Sequence, residues 1–251
     1  MNSDVVSTWN SQLIALSYII SVLGSFVALR AASLMRGADG RISRVNTVAA
    51  GLALGGIGVW SMHFIGMVAL KLDLASGYSL VETLVSLVAA VVAASLALAY
   101  VARDSTSFKR IAVAGTLLGI GVAVMHYLGM YGLRFGGYVA WNFSVVAISV
   151  LIAVAAATAA LWLAFNTPSQ GLRVVAALVM GVAVCSMHYT GMAAADYICT
   201  TADRRAFPSG FGVISAAQLP MLVTGVAVGI MLLIFVDQVM QRLQLQEAEV
   251  R

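Results

Sequence analysis

Three histidines, the only imidazoles in this 251-residue chain, occupy the same slot of one repeated segment. The copies read GIGVWSMHFIGM at 56 to 67, GIGVAVMHYLGM at 119 to 130 and GVAVCSMHYTGM at 181 to 192, which share the pattern G-[IV]-x-V-x-x-M-H-[FY]-x-G-M. Six of the twelve methionines fall in it too, so each copy sets an imidazole among thioethers. Neutral nitrogen and soft sulfur donors suit copper, Cu(I) above all, whereas Mg²⁺ or Ca²⁺ would demand carboxylates that the pattern lacks. Zinc can use three histidines and a water but gains little from methionine. Haem with His/His or His/Met axial ligands needs a gap between helices wider than the motif glycines imply. Copper is therefore the expected cofactor, ahead of zinc or haem.

On a helix, residues i and i+4 share a face one turn apart, so His63 points with Met67, His126 with Met130 and His188 with Met192. Met62, Met125 and Met187 are rotated by about 100° from their histidines, to line the flank of a shared site or to pack. Gly66, Gly129 and Gly191, with Gly56, Gly119 and Gly181 upstream, let helices approach closely. If the three helices meet around a pseudo-threefold axis, their imidazoles converge, and all nine Met and His residues become candidate metal ligands. One intramembrane histidine beside a methionine usually just packs or hydrogen-bonds. Three copies that hold every histidine of the chain favour a ligand site, because polar groups at membrane depth are costly.

Several neighbours have two readings. Phe64, Tyr127 and Tyr189 follow the histidines and are expected to pack, although a Tyr hydroxyl could orient an imidazole. Trp60, Ala123 and Cys185 share the slot one turn before each His; Cys185 is either a thiolate donor or, as expected, a small buried residue. Glu82 is expected in an interfacial ion pair rather than at the site.

The elements that must position these residues follow from composition. The chain is 61% apolar and 10% charged, with a mean hydropathy of +0.98, which excludes an ordinary soluble domain. Apolar stretches near 11 to 35, 46 to 70, 79 to 102, 110 to 133, 141 to 165, 172 to 195 and 217 to 240 are each long enough to cross a bilayer as a helix. The expected fold is an all-α integral membrane bundle of seven transmembrane helices, built from three parallel two-helix repeats plus one N-terminal helix. The membrane domain covers 1 to 245, with repeats near 45 to 106, 108 to 168 and 171 to 241, and a cytoplasmic tail over 242 to 251. The start, MNSDVVSTWN, lacks a positive charge and a cleavage site, so the first span is expected to stay.

Charge sets the orientation. Arg30, Arg36, Arg41, Arg44, Arg103, Lys109, Arg110, Arg173, Arg242 and Arg251 fall on one side of the spans, and Lys71, Arg134, Arg204 and Arg205 on the other. The richer side is cytoplasmic, so the C-terminus is expected to face the cytoplasm, and the N-terminus and the 196 to 216 connection to face outward, which in a bacterium means the periplasm. The net charge of +4 reflects this topology, not nucleic-acid binding, because no basic run or stripe exists. Cys185 and Cys199 are too far apart along one helix for a disulfide. The first charge after each His comes eight positions on, at Lys71, Arg134 and Asp196, which places the imidazoles about 12 Å inside the outer helix ends.

The repeated segments resemble the MHYT domain, a bacterial membrane sensor module named for this motif, and Met187 to Thr190 spell MHYT outright. Seven spans, motif helices two, four and six and outward-lying histidines fit the resemblance over nearly the whole chain. It implies copper held by Met and His, sensing of oxygen, carbon monoxide or nitric oxide, and a place ahead of cyclic-di-GMP synthesis or hydrolysis domains. The first two copies read MHFI and MHYL, so neither a Tyr nor a Thr hydroxyl is required at every site. No output domain follows Arg251, which implies a truncated sensor or a separate cytoplasmic partner. The expected function is a non-enzymatic membrane sensor of a diatomic gas or of copper. A zinc-type metalloenzyme would need a carboxylate such as Glu82, Asp73 or Asp196 near the histidines. A copper carrier would need ligands across the whole membrane, but the cytoplasmic halves of the motif helices are aliphatic.

Overall fold

A computed structural model describes residues 3–37, 40–166 and 169–250. Its seven long helices are α1 (Ser11–Ala32), α2 (Arg44–Ala69), α3 (Leu80–Ala102), α4 (Phe108–Tyr131), α5 (Phe143–Asn166), α6 (Gln170–Met192) and α7 (Leu219–Val250). All seven are long and apolar enough to span a bilayer. Asn10, Ser43, Ser107 and Ser169 cap α1, α2, α4 and α6 by accepting hydrogen bonds from first-turn amides.

Helices α1 to α6 pack in a closed ring, each against its sequence neighbours and α6 against α1, while α7 lies outside and packs on α2. The motif helix α2 is thereby 89% buried, against 22 to 44% for the other spans, whose apolar outer faces are left for lipid. Glycines permit the approach on α2: a Cβ on Gly55 would come 2.6 Å from the Ala90 carbonyl of α3, and one on Gly56 2.7 Å from Ile230 of α7. Residues Leu52–Ser61 of α2 form a π-helix. Its wider turn lets the Ser61 hydroxyl donate to the Gly56 carbonyl at 2.9 Å, and such turns inside α-helices recur at functional sites.

Outside the membrane-spanning helices, the connections at the bundle end nearer the histidines are not plain loops. Eight short strands form there: β1 (Ser3–Asp4), β2 (Ser7–Trp9), β3 (Leu70–Leu72), β4 (Ser76–Ser79), β5 (Leu133–Phe135), β6 (Gly137–Trp141), β7 (Ala195–Cys199) and β8 (Val213–Ser215). Each motif helix runs into a strand that pairs antiparallel with the strand entering the preceding helix, as Trp9↔Leu70, Tyr78↔Leu133 and Trp141↔Ala195. The pairing satisfies backbone groups at the membrane edge. It also gives the threefold relation a second form: α1–α2, α3–α4 and α5–α6 are strand-closed hairpins, and α1 completes the ring next to α6.

These strands correct the expected depth of the histidines. Lys71, Arg134 and Asp196 lie on β3, β5 and β7, not at helix ends. Helices α2, α4 and α6 stop six, five and four residues after their histidines, so the imidazoles lie about 6 to 9 Å from those ends rather than about 12 Å.

Candidate metal centre

The ring brings His63, His126 and His188 together at its centre, each at most 1% exposed. Their Nδ1 atoms form a nearly equilateral triangle with edges of 3.1 Å (His63 to His188), 3.1 Å (His63 to His126) and 3.3 Å (His126 to His188). The rings stand edge to face, with centroids 4.9 to 5.1 Å apart and interplanar angles of 77 to 88°, as in a three-bladed propeller.

Glycine sets the outer radius of the propeller. The Nε2 of His63 lies 2.3 Å from where a Cβ on Gly129 would stand, His126 bears the same relation to Gly191, and His188 to Gly66. Every imidazole is thus seated against the glycine of the next motif helix, three residues after that helix's own histidine.

Serine and aromatic residues lock the helices behind the rings. Phe64, Tyr127 and Tyr189 pack edge-on against their own histidines, with centroids at 4.6, 4.8 and 4.7 Å. Ser17, Ser86 and Ser149 are buried at the seventh position of α1, α3 and α5. Each serine hydroxyl donates to the carbonyl three residues before it. The serine oxygens can therefore accept: Tyr189 donates to Ser17 at 2.8 Å, and Tyr127 to Ser149 at 2.6 Å. Phe64 has no hydroxyl, and the Trp60 indole N–H fills the gap by donating to Ser86 at 3.1 Å and to the Thr83 carbonyl at 2.9 Å. The tyrosine hydroxyls hold helix to helix; they do not orient the imidazoles. Sequence reasoning passed over these serines, although their identical helix position was a legible signal.

Hydrogen bonding tests whether this donor set suits a cation. A neutral imidazole has one N–H and one bare nitrogen. Three mutually adjacent Nδ1 atoms cannot satisfy one another: two N–H groups would collide, and two bare nitrogens bring lone pairs face to face. One cation at the centre resolves the conflict by taking all three lone pairs, which puts the hydrogens on Nε2. The circle through the three Nδ1 atoms has a radius of about 1.8 Å, close to an imidazole–metal bond of about 2.0 to 2.1 Å, so the residues fit one ion. All three Nε2 atoms are buried without a hydrogen-bond partner, so the carbonyl or carboxylate that commonly supports a ligating histidine is missing. The glycine seats supply the orientation instead.

Among the described residues, neither thiol nor carboxylate joins the three imidazoles. Cys185 is half-buried and Cys199 buried, both as free thiols. Glu82 is paired with Arg134 and Ser79, Asp73 with Arg204, and Asp196 is exposed on β7. Met67, Met130 and Met192 are buried one turn further out, and Met62, Met125 and Met187 are buried beside the histidines. Met67 and Met192 line an outer cavity of about 600 Å³ with Tyr78 and Tyr197. Met130 lines a neighbouring one of about 340 Å³. Burial raises the pKa of both Tyr78 and Tyr197, and their proximity adds to it for Tyr78, so both phenols are neutral in a wall that Lys71 also lines. One turn inward of the triad, Val59, Val122 and Val184 line a wholly apolar cavity of about 30 Å³ with Met187 and several alanines.

The chain's relatives are signalling proteins. The MHYT family model, a bacterial signalling protein N-terminal repeat, matches residues 56–114 and 119–177. The chain is 40% identical over 198 residues to the bifunctional diguanylate cyclase/cyclic di-GMP phosphodiesterase MucR of Pseudomonas aeruginosa, covering 77% of this chain and 29% of that protein. It is 29% identical over 201 residues to the signaling protein YkoW of Bacillus subtilis, covering 77% and 25%. With the cyclic di-GMP phosphodiesterase NbdA of P. aeruginosa the identity is 32% over 195 residues, covering 74% and 24%. The chain therefore spans less than a third of the length of these relatives. No solved structure matches it. Two repeats recognised in sequence, a third that spells the motif and the convergence of all three histidines lead to one conclusion: the chain belongs to the MHYT family of bacterial membrane signalling domains.

Proposed function

We propose that this chain is the sensing part of a membrane signalling protein whose three histidines hold a single copper ion, most readily Cu(I). The observation that carries the reading is the Nδ1 triangle, with edges of 3.1 to 3.3 Å in a buried, acid-free setting. Neutral donors suit a monovalent soft ion there, since no carboxylate has to be desolvated. The methionines join as ligands or as the layer an ion crosses: Met67, Met130 and Met192 between the outer cavities and the triad, Met62, Met125 and Met187 on its flanks. The apolar cavity beneath the triad, about 30 Å³ in volume, supports a diatomic gas as the signal, because it offers roughly the room of one water molecule without hydrogen-bond partners for water.

The signal leaves through α7. That helix packs on the motif helix α2, against its π-helical segment, and continues nine residues past the apolar span to Val250. Enzymes of cyclic di-GMP synthesis or breakdown, which the names of the relatives describe, are the natural recipients. The arrangement requires the C-terminus in the cytoplasm, as the arginine distribution indicates. Alkaline phosphatase fused after Arg251 is expected to be inactive, and the same reporter placed within 203 to 206 active; the opposite pattern reverses the orientation. Metal analysis of detergent-purified protein tests the core reading. One copper per chain is expected, and none in a variant with all three histidines replaced by alanine. Zinc at full occupancy, with copper unable to displace it, would replace copper sensing by the zinc reading.

A further inference from the structure

At the bundle end remote from the triad, the ends of α1, α3, α5 and α6 enclose a cavity of about 430 Å³. Two guanidiniums line it, Arg36 after α1 and Arg173 in the first turn of α6, together with Ser33, Ser105 and Asn166, and among the described residues no carboxylate does. Its remaining wall is apolar, from Ala32, Ala102, Ala164 and Phe165. Asp104, which precedes Ser105 of the cavity wall, is turned to Thr106, whose hydroxyl and amide donate to it at 2.8 and 3.2 Å and hold its carboxyl below the usual range.

Arg36 is fixed in place. Its Nη2 donates to the carbonyls of Ala102 and Arg103 at 2.7 and 3.1 Å, closing the C-terminus of α3. A guanidinium has five N–H donors, so the Nη1 and Nε hydrogens of Arg36 stay available; among the described residues they have no partner. Arg173 has no ionic or hydrogen-bonded side-chain partner among the described residues either.

We infer that this cavity binds the headgroup of an anionic phospholipid, with the phosphate between Arg36 and Arg173 and the glycerol and first acyl carbons against Ala164 and Phe165. Three features choose this occupant. Two cations with no carboxylate among the described lining residues select an anion, and the planar guanidinium fork matches phosphate oxygens. A wall in which Arg36, Arg173 and Asn166 stand beside Ala164 and Phe165 suits an amphiphile better than a free ion. The position at the ends of four spanning helices puts the cavity at headgroup depth, where basic pockets between helices take up acidic lipid. The site is independent of the metal reading and bridges four of the six ring helices, so a bound lipid would brace the end of the bundle from which α7 emerges.

Native mass spectrometry and thermal unfolding in nanodiscs test it. In discs containing phosphatidylglycerol the chain should unfold at a higher temperature than in pure phosphatidylcholine, and should retain one phosphatidylglycerol on release. Arg173→Gln should reduce the preference for phosphatidylglycerol roughly fivefold without changing metal content, because among the described residues the Arg173 side chain makes no hydrogen bond or ion pair that its loss would break. Arg36→Gln added to it should abolish the preference. Inorganic phosphate added to phosphatidylcholine discs should leave the transition where it was. Equal lipid preference in the parent chain and in Arg173→Gln overturns the assignment, and so does a stabilisation by inorganic phosphate as large as that by the lipid.

Discussion

Replacing His63, His126 or His188 singly with leucine is expected to lower copper affinity by more than a hundredfold while leaving the metal-free protein nearly as stable as before. Loss of even an outer partner of a ligating histidine costs about 10- to 100-fold in metal affinity, and loss of a ligand nitrogen from a three-nitrogen set must cost more. Stability behaves differently because each imidazole is 0 or 1% exposed with an unpartnered Nε2. An apolar residue of similar volume removes an unmet hydrogen-bonding group instead of breaking a made bond, which is close to neutral. Copper at about a thousand times its dissociation constant should stabilise the parent chain by about 4 kcal/mol, and this gain should vanish in each variant. Acid should have the same effect as the substitutions, since the ion and protons compete for the same three lone pairs. Titration with a Cu(I) chelator, paired with thermal unfolding in its presence and absence, separates the two readouts. A variant that loses stability equally with and without metal would assign the histidines to packing.

The second large effect is expected at residues that offer no ligand atom. An alanine Cβ at Gly66, Gly129 or Gly191 would stand 2.3 Å from the Nε2 of His188, His63 or His126. The ring must retreat by about 1 Å to reach van der Waals contact, and overpacking of this kind costs about 1 to 3 kcal/mol. Because each imidazole helps set the triangle, displacing one should disrupt binding to all three. Each glycine variant should therefore lose copper nearly as completely as a histidine variant, and the three should be alike. Gly225 and Gly229 of α7 have nothing within 4 Å of an added Cβ; alanine there should leave metal content unchanged. Normal copper content in all three motif variants would mean that the propeller is not what holds the ion.

The three copies of M-H-[FY]-x-G-M fix equivalence: identical spacing on helices of one direction puts three imidazoles at one level, and the composition requires those helices to span a bilayer. The ion pair of Glu82 was legible for the same reason, as a carboxylate at an interfacial helix end has few alternatives to a nearby arginine. Helical periodicity fixes relations within one helix and none between helices.

Everything beyond that point depended on how the helices close. Periodicity says which face His63 shares, but not that it presses on Gly129 of α4 rather than on Gly191 of α6, because a cyclic arrangement of equal helices can be wound either way. The strands escaped notice because two- to five-residue pieces carry too little alternation to be read, and without them helix ends were set by the first charge, too far out. Placing α1 in the ring and α7 outside it was equally out of reach, since both helices are apolar enough to fill either position. The repeat determined which residues would be equivalent; only ring closure, through glycine seats, buried serines and strand pairs at the membrane edge, decided which atoms meet, because those contacts join residues from 22 to 172 positions apart that no local pattern connects.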